Sequence, residues 1–94
     1  MKIVQYERFQ EQLSSIDDFI RQKSEKAADD FLNALYDEIQ TLDNFPYKFR
    51  KSIYYDDETI RDCIFRGYVI PYKVLDNLGI IAVLAIFREN IFIP

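Results

Sequence analysis

The amino-acid sequence predicts an α+β fold, with two helices packed on a small sheet. Two runs between residues 9 and 42 repeat apolar side chains every three or four positions, which is typical of amphipathic helices. Three short runs between residues 60 and 87 are rich in β-branched, aromatic and aliphatic side chains, which is the composition of strands. Helices and strands are therefore segregated along the chain.

The strand-like runs predict a three-stranded antiparallel meander. They cover residues 60–65, 68–74 and 80–87, and short turns separate them. Each turn contains one of the two glycines of the chain, Gly67 and Gly79, which tolerate the positive φ of a tight turn. Connections this short join neighbouring antiparallel strands.

The third run, IIAVLAIF, is expected in the middle of the sheet. It carries no polar residue on either face, so both faces should be buried. A central strand needs a partner on each side, and residues 2–6 (KIVQY) form the only other strand-like run. The N-terminal strand should therefore lie beside the third run. Pro71 cannot donate a ladder hydrogen bond, so we expect a local irregularity at that position.

An antiparallel helical hairpin is expected between the N-terminal strand and the meander. The first helix has an apolar side that consists of Phe9, Leu13, Ile16, Phe19 and Ile20. After a short break, Ser24 is a suitable N-cap for the second helix, which should end near Asp43 because Pro46 follows. Its apolar side consists of Ala28, Phe31, Leu32, Leu35, Ile39 and Leu42. Both apolar sides should pack on the sheet.

The length and composition suit one domain that covers residues 1–94. Hydrophobic residues make up 49% of the chain, which is enough for a folded core. The sequence shows neither a signal-peptide pattern nor an apolar stretch long enough to span a membrane. The single cysteine, Cys63, lies in a strand-like run and is interpreted as a core residue rather than a reactive thiol. We therefore expect a cytoplasmic protein without membrane association.

The charge distribution argues against a nucleic-acid ligand. The formal net charge is −4; residues 1–45 carry ten acidic and five basic side chains, whereas residues 46–94 carry six acidic and seven basic. The strand half thus holds the positive charge, while the field of the whole molecule repels a polyanion. We expect no direct sequence-specific DNA binding by this chain alone.

Most catalytic arrangements are excluded by the residue inventory. The chain has no histidine and one cysteine, which excludes Ser-His-Asp and Cys-His sites and zinc sites with several thiolates. It has no glycine-rich phosphate-binding loop. Adjacent carboxylates, such as Asp56 and Asp57, are interpreted as solubilising surface rather than as metal ligands. We expect neither a metal nor a cofactor.

A charged loop, residues 46–59, is the first candidate binding region. Lys48, Arg50 and Lys51 precede a run of acidic residues within it. The charges either neutralise one another in solvent or form a binding surface. The aromatic residues that would frame this surface are Tyr47, Phe49, Tyr54 and Tyr55.

Two arginines of the strand region are the second candidate. Arg61 is a charge among core-like neighbours, and Arg88 follows the third apolar run directly. Each either pairs with a carboxylate such as Asp62 or Glu89, or both point into one concave face and bind an anion, a phosphate backbone or an acidic protein segment.

Five features follow one another in an order that resembles a known family. They are a short strand, a hairpin with A-x-x-F-L-x-x-L-x-x-x-I-x-x-L (residues 28–42) before Pro46, a charged loop, Ile60-Arg61-Asp62, and Y-V-I-P-Y-K-V followed by IIAVLAIFRE. Over nearly its whole length the chain resembles the RelE/ParE superfamily of toxins from bacterial type II toxin-antitoxin modules. The resemblance implies an α+β fold with a helical hairpin on a small sheet.

The resemblance implies one of two activities. RelE-like members cleave messenger RNA in the ribosome, and ParE-like plasmid stabilisation proteins bind DNA gyrase. In a ribonuclease the catalytic residues would be Arg61, Arg88, Lys48 and Lys51. However, the residues after Arg88, ENIFIP, include Phe92 but no side chain that transfers a proton. We therefore favour a non-enzymatic, ParE-like toxin.

The resemblance also implies protein partners. These are a cognate antitoxin and DNA gyrase, or the ribosome with its message in the alternative. The residues expected to bind the target or the antitoxin are Arg50, Arg61, Arg66, Arg88, Tyr54 and Phe92. The antitoxin should dock as an amphipathic segment near the hairpin and an open sheet edge. A third hypothesis is an inactive chain that retains only antitoxin binding.

Overall fold

The helices and strands follow one another in the predicted order. The computed structural model describes residues 1–89. In chain order the elements are β1 (Lys2–Gln5), α1 (Glu7–Arg21), α2 (Glu25–Gln40), β2 (Ile60–Phe65), β3 (Tyr68–Leu75), β4 (Ile80–Val83) and β5 (Phe87–Arg88). Short 3-10 turns follow α2 and β3, at Thr41–Asp43 and Asp76–Leu78. This arrangement confirms the predicted α+β fold.

The two helices form the predicted hairpin. The hydroxyl of Ser24 accepts a hydrogen bond from the Ala27 backbone N–H at 3.1 Å, which confirms Ser24 as the N-cap of α2. The buried face of the hairpin consists of Phe9, Leu13, Ala28, Phe31, Leu35, Ile39 and Leu42. The prediction that Phe19 belongs to this face is wrong, because its side chain is 61% exposed. The part of α1 that contains Phe19 lies beside the two-residue strand β5, which is too short to cover the Phe19 side chain.

The sheet has the strand order β1-β4-β3-β2, and β5 pairs with β3 beyond the end of β4. β4 is antiparallel to β3 and parallel to β1. This confirms the predicted meander and the central position of the third apolar run. The turn between β2 and β3 is Arg66-Gly67, and both residues adopt positive φ, 48° and 82°. That pair of conformations is the one expected of a two-residue hairpin turn.

The third apolar run is not one strand, as the sequence predicted, but two. Tyr72 pairs with Val83 and Val69 pairs with Phe87, so two residues of β3 face the three residues 84–86. The extra residue makes a bulge opposite Pro71. Pro71 accepts a hydrogen bond from the Leu84 backbone N–H at 2.9 Å but has no N–H to return. The predicted irregularity therefore falls on the facing strand.

The sheet buries apolar side chains on both faces. Tyr72, Val74, Ile81 and Val83 pack under the helices, whereas a smaller cluster of Ile60, Ala82, Leu84 and Ala85 lies on the opposite face, with Tyr55 against it. Because successive strand residues point to opposite faces, one apolar run supplies both layers. None of the helices within residues 1–89 is long and apolar enough to cross a lipid bilayer.

Candidate functional site

The charged loop runs along the outer edge of β2. The Asp62 backbone N–H donates to the Arg50 carbonyl at 3.1 Å, and the Ser52 N–H donates to the Ile60 carbonyl at 2.8 Å. These two hydrogen bonds flank a bridge between Lys51 and Arg61. The fold therefore brings the basic residues of the loop beside the first arginine of β2.

Arg61 lies against an aromatic ring of the same loop. Its guanidinium carbon is 4.8 Å from the ring centroid of Tyr47, and one terminal nitrogen donates to the Phe49 carbonyl at 3.4 Å. The Arg61 Nε is buried and has no hydrogen-bond partner within residues 1–89. The guanidinium is thus held in place by stacking more than by hydrogen bonds.

Tyr47, one of the aromatic residues that frame the charged loop, is a member of this cluster. Its hydroxyl donates a hydrogen bond to Asp76 Oδ2 at 2.6 Å, and this bond raises the pKa of Tyr47. Asp76 lies in the turn after β3, so only the fold brings the two side chains together.

The other basic residues of the loop are paired with carboxylates. Lys48 Nζ lies 3.5 Å from Glu38, Arg50 Nε lies 3.5 Å from the fully buried Asp62, and Lys51 Nζ lies 3.3 Å from Glu58. Asp62 also accepts a hydrogen bond from the Ile53 backbone N–H at 3.1 Å. Of the two alternatives left open for this loop, the ion pairs favour mutual neutralisation.

Arg61 and Arg88 point to the same face of the sheet but lie apart on it. Arg61 pairs with Tyr72 in the middle of β3, whereas Arg88 pairs with Tyr68 at its start. The two paired positions are four residues apart, which corresponds to roughly 13 Å along the sheet. β5 places Arg88 at the hairpin end of the sheet, where Tyr54 of the charged loop reaches the neighbouring Phe87.

Arg88 instead borders an apolar groove between α1 and the end of the sheet, here called the α1 groove. Its volume is about 440 Å³, and its lining consists of Gln12, Ser15, Ile16, Phe19, Tyr68, Ile86, Phe87 and Arg88. The Arg88 guanidinium carbon lies 5.2 Å from the ring centroid of Tyr68, and that of Arg66 lies 5.1 Å from the Phe65 centroid. Because Phe65 and Tyr68 pair across the β2–β3 hairpin, both arginines lie at the hairpin end of the sheet.

Two further tyrosines, Tyr54 and Tyr72, have packing roles. Tyr54 packs edge to face on Phe87, with ring centroids 5.0 Å apart. Tyr72 is fully buried, and its hydroxyl donates to the Pro46 carbonyl at 2.6 Å. Burial raises the pKa of Tyr72, which makes it a poor proton donor. Phe92, a predicted binding residue, lies outside the described residues.

Two stretches of sheet edge are open within residues 1–89. β1 pairs only with β4, and the end of β2 beyond Asp62 pairs only with β3. Backbone groups on such edges are ready to pair with an added strand. In the same part of the chain, no group of three or more acidic or cysteine side chains is placed to hold a metal ion.

Comparisons with known proteins agree with this architecture. The model of the family described as ParE toxin of type II toxin-antitoxin system, parDE, matches residues 3–90. A solved structure described as the chromosomal ParDE TA system from P. aeruginosa superposes with a TM-score of 0.76 at 16% identity, over 94% of this chain and 95% of that chain. No curated protein matches the chain. Because the family model spans nearly the whole sequence, this chain belongs to the ParE toxin family of type II toxin-antitoxin systems.

Proposed function

We propose that this ParE-family chain inhibits DNA gyrase by binding it, without catalysing a reaction, and that a cognate antitoxin neutralises it. The observation that carries this proposal is the dispersal of the cationic side chains. Arg61 pairs with Tyr72 and Arg88 with Tyr68, four residues earlier in β3, and Lys48 and Lys51 are paired with carboxylates. These are the four residues that a ribonuclease of this fold would need together.

A catalytic site requires several side chains to converge on the reacting atoms, whereas a protein-binding surface does not. A ribonuclease must place cationic groups and a proton-transferring group around one phosphate, within hydrogen-bonding distance of the reacting atoms. The pairing of the loop lysines and the separation of the two arginines oppose such a site. Binding to a large protein uses an extended surface and tolerates this dispersal.

The antitoxin is proposed to bind where apolar surface and unpaired backbone remain. The α1 groove offers the apolar surface, and the outer edges of β1 and β2 offer the backbone groups. An amphipathic segment that adds a strand or lays a helix in a groove uses both features. We place the toxin and its antitoxin in the cytoplasm, where gyrase works. Their proposed genetic role is the stabilisation of a plasmid.

One observation favours the ribonuclease alternative. The Tyr47 hydroxyl is hydrogen-bonded to Asp76 beneath the Arg61 guanidinium, and a tyrosine beside a cation is a combination that can transfer a proton and stabilise charge. In that case Arg61→Ala should lower the cleavage rate about a hundredfold while leaving substrate binding nearly unchanged.

The two functions are separated by two assays with the same purified protein. We expect the chain to inhibit supercoiling by gyrase and to leave messages on translating ribosomes intact. Tyr47→Phe, which keeps the ring under Arg61 and removes the hydroxyl, should not alter gyrase inhibition. Message cleavage that disappears in Tyr47→Phe and Arg61→Ala, with supercoiling unaffected, would replace the proposed function by the alternative. Absence of both activities would identify an inactive chain.

A further inference from the structure

The outer edge of β1 lies open along its whole length within residues 1–89. The N–H groups of Lys2 and Tyr6 donate to carbonyls on the β4 side of the strand, at 2.8 and 2.9 Å. Because backbone groups alternate in direction along a strand, the N–H and C=O groups of Ile3 and Gln5 point outward. No other strand in the described part of the chain pairs with them.

This edge lacks the features that usually prevent the addition of a strand. Such features are charged side chains in mid-strand, a proline, a bulge or a covering loop. The charged loop covers the first half of the other outer strand, β2, through the bridge between Lys51 and Arg61. In β1 the two middle residues, Ile3 and Val4, are apolar, and the register with β4 runs without a bulge. β1 is therefore suited to pair with a further strand.

Both faces of this edge have side-chain area left for a neighbour. Ile3 packs on the core cluster under the helices, and Val4 packs on the smaller cluster of the opposite face. Both side chains are only partly buried, as is that of Gln5. Tyr6 is 51% exposed, and its extended backbone continues the strand by one residue.

We propose that β1 pairs antiparallel with β1 of a second copy of this chain, with Val4 on the two-fold axis. In this register Ile3 of each copy is opposite Gln5 of the other, so their outward N–H and C=O groups pair with one another. Val4 meets its own counterpart, which joins the smaller apolar clusters of the two copies into one layer. The two sheets become one continuous sheet, with both helical hairpins on the same face.

The side chains at the two ends of β1 are complementary in this register. Lys2 is the only charged residue of β1, and no carboxylate of residues 1–89 forms an ion pair with it. Glu7, which begins α1, forms no ion pair in that part of the chain either. The antiparallel register sets Lys2 opposite Tyr6 of the second copy and beside its Glu7. Each copy therefore supplies a cation where the other supplies an aromatic ring and a carboxylate.

A strand from a different protein is the less suitable occupant. It gains the same backbone hydrogen bonds, but the order of side chains from Lys2 to Glu7 is complementary to itself when reversed. The strand order places β2 and the charged loop at the far edge of each copy, so the dimer leaves them accessible. Self-association would occupy, in the free chain, an edge that the proposed antitoxin segment also uses.

Sedimentation equilibrium of the full chain alone tests the proposal. We expect twice the mass of the single chain at high protein concentration, with a dissociation constant on the order of micromolar because the strand is short. Gln5→Pro removes an N–H that β4 does not use, so it should weaken the dimer at least about tenfold. Gln5→Ala is the matched control, since it loses the same side-chain contact with Gln10 but keeps the N–H. It should dimerise like the original chain.

An exchange of charges tests the register. Lys2→Glu places a carboxylate beside Glu7 of the second copy at two symmetric positions, and it should weaken the dimer about fivefold. Adding Glu7→Lys should restore the affinity, because opposite charges then face each other again. Both side chains are exposed, so the melting temperature of the dilute single chain should change little. A merely structural effect of Lys2→Glu would not be rescued by the second change.

Several results would overturn the proposal. They are the mass of a single chain at every concentration, a dimer that Gln5→Pro and Gln5→Ala affect equally, and a loss in Lys2→Glu that Glu7→Lys does not restore. Circular dichroism should show Gln5→Pro to be as folded as Gln5→Ala; otherwise the charge exchange decides. A dimer that dissociates in Phe19→Ala would place the contact at the α1 groove instead. Because each measurement uses the chain alone, absence of gyrase inhibition would remove only the proposed function.

Discussion

Cys63 shows how burial decides the chemistry of a single side chain. It points from β2 toward the helices and is fully buried among residues such as Leu42 and Ile70. Burial, with a smaller contribution from the charge of Glu38, raises the pKa of the Cys63 thiol to about 12. The thiolate is the reactive form of cysteine, so the folded protein should hold an inert thiol.

We expect Cys63 not to react with a thiol reagent at mildly alkaline pH while the chain is folded. In concentrated urea one thiol per chain should react, because the cysteine is then exposed. The colour released by an aromatic disulfide reagent measures both states. Rapid labelling of the native protein would show that the β2 face opens readily and would contradict the burial.

Asp57 makes the stability of the charged loop depend on pH. Its carboxylate accepts hydrogen bonds from the Thr59 hydroxyl and backbone N–H and lies 3.2 Å from Lys73 Nζ. The Thr59 hydrogen bonds, together with Lys73, lower the pKa of Asp57 from 3.8 to about 2. A depressed pKa in the folded state contributes stability above the unfolded value, and this contribution is lost as pH falls through the folded value.

The loss of Asp57 stabilisation should therefore fall between about pH 4 and pH 2. Asp57→Asn should flatten the pH dependence of the melting temperature in that range. Asp56→Asn, which changes a fully exposed neighbour with only a distant Lys51 contact, is the matched control and should not flatten it. Equal pH profiles for the two variants would contradict the role of Asp57.

At the scale of elements, the contact between α2 and the sheet holds the two layers together. Leu35 is fully buried in the core cluster that also contains Ile70 and Tyr72. Leu35→Ala removes buried methyl groups and leaves a cavity, so we expect a loss of roughly 2 to 4 kcal/mol in the free energy of unfolding. Leu78→Ala, the same change at a side chain 68% exposed, should cost far less. Equal denaturation midpoints for the two variants would contradict this account of the core.

The bulge opposite Pro71 determines which face of the sheet the side chains after Val83 occupy. An uninterrupted strand would continue the alternation of Ile81 and Val83 through residue 87. The extra residue reverses that alternation, so Ile86 rather than residue 85 packs under the helices. The same extra residue places the Arg88 side chain beside Tyr68, on the face of the sheet that α1 covers. One proline thereby helps to build the α1 groove.

At the scale of the whole molecule, the surface carries separate regions rather than one active centre. Arg61 and the basic residues of the charged loop lie beside the middle of β3, and the α1 groove with Arg88 lies at the start of β3. A protein toxin that binds both a target and an antitoxin can use such distinct regions, since each binding event needs its own surface.

The whole-molecule prediction concerns cells that express this chain without an antitoxin. If gyrase is the target, blocked replication should produce filamentous cells and DNA-damage signalling while messages remain intact. Leu35→Ala should reduce the effect through loss of folded protein, whereas Leu78→Ala should not. Microscopy, a damage-response reporter and message integrity provide the measurements. Growth arrest with cleaved messages and no damage signal would contradict a gyrase target.

The sequence by itself determined the elements whose signals are local. Ser24 caps α2 because its hydroxyl meets an N–H three residues away, and the Arg66-Gly67 turn joins neighbouring strands. The apolar run from Ile80 had to be central because it lacks a polar face. The order of motifs along the chain also sufficed to indicate the family. All of these depend on side-chain type and spacing within one short segment.

Only the tertiary structure decided which of the candidate residues come together. Tyr47 meets Asp76 across 29 positions of sequence, and a bulge turns Arg88 to the face of Tyr68. Arg61 and Arg88 lie apart because they pair with different positions of β3, although each looked suitable by chemistry. Contacts between distant segments depend on strand register and on how far each element extends, and a change of one residue moves every side chain that follows to the other face.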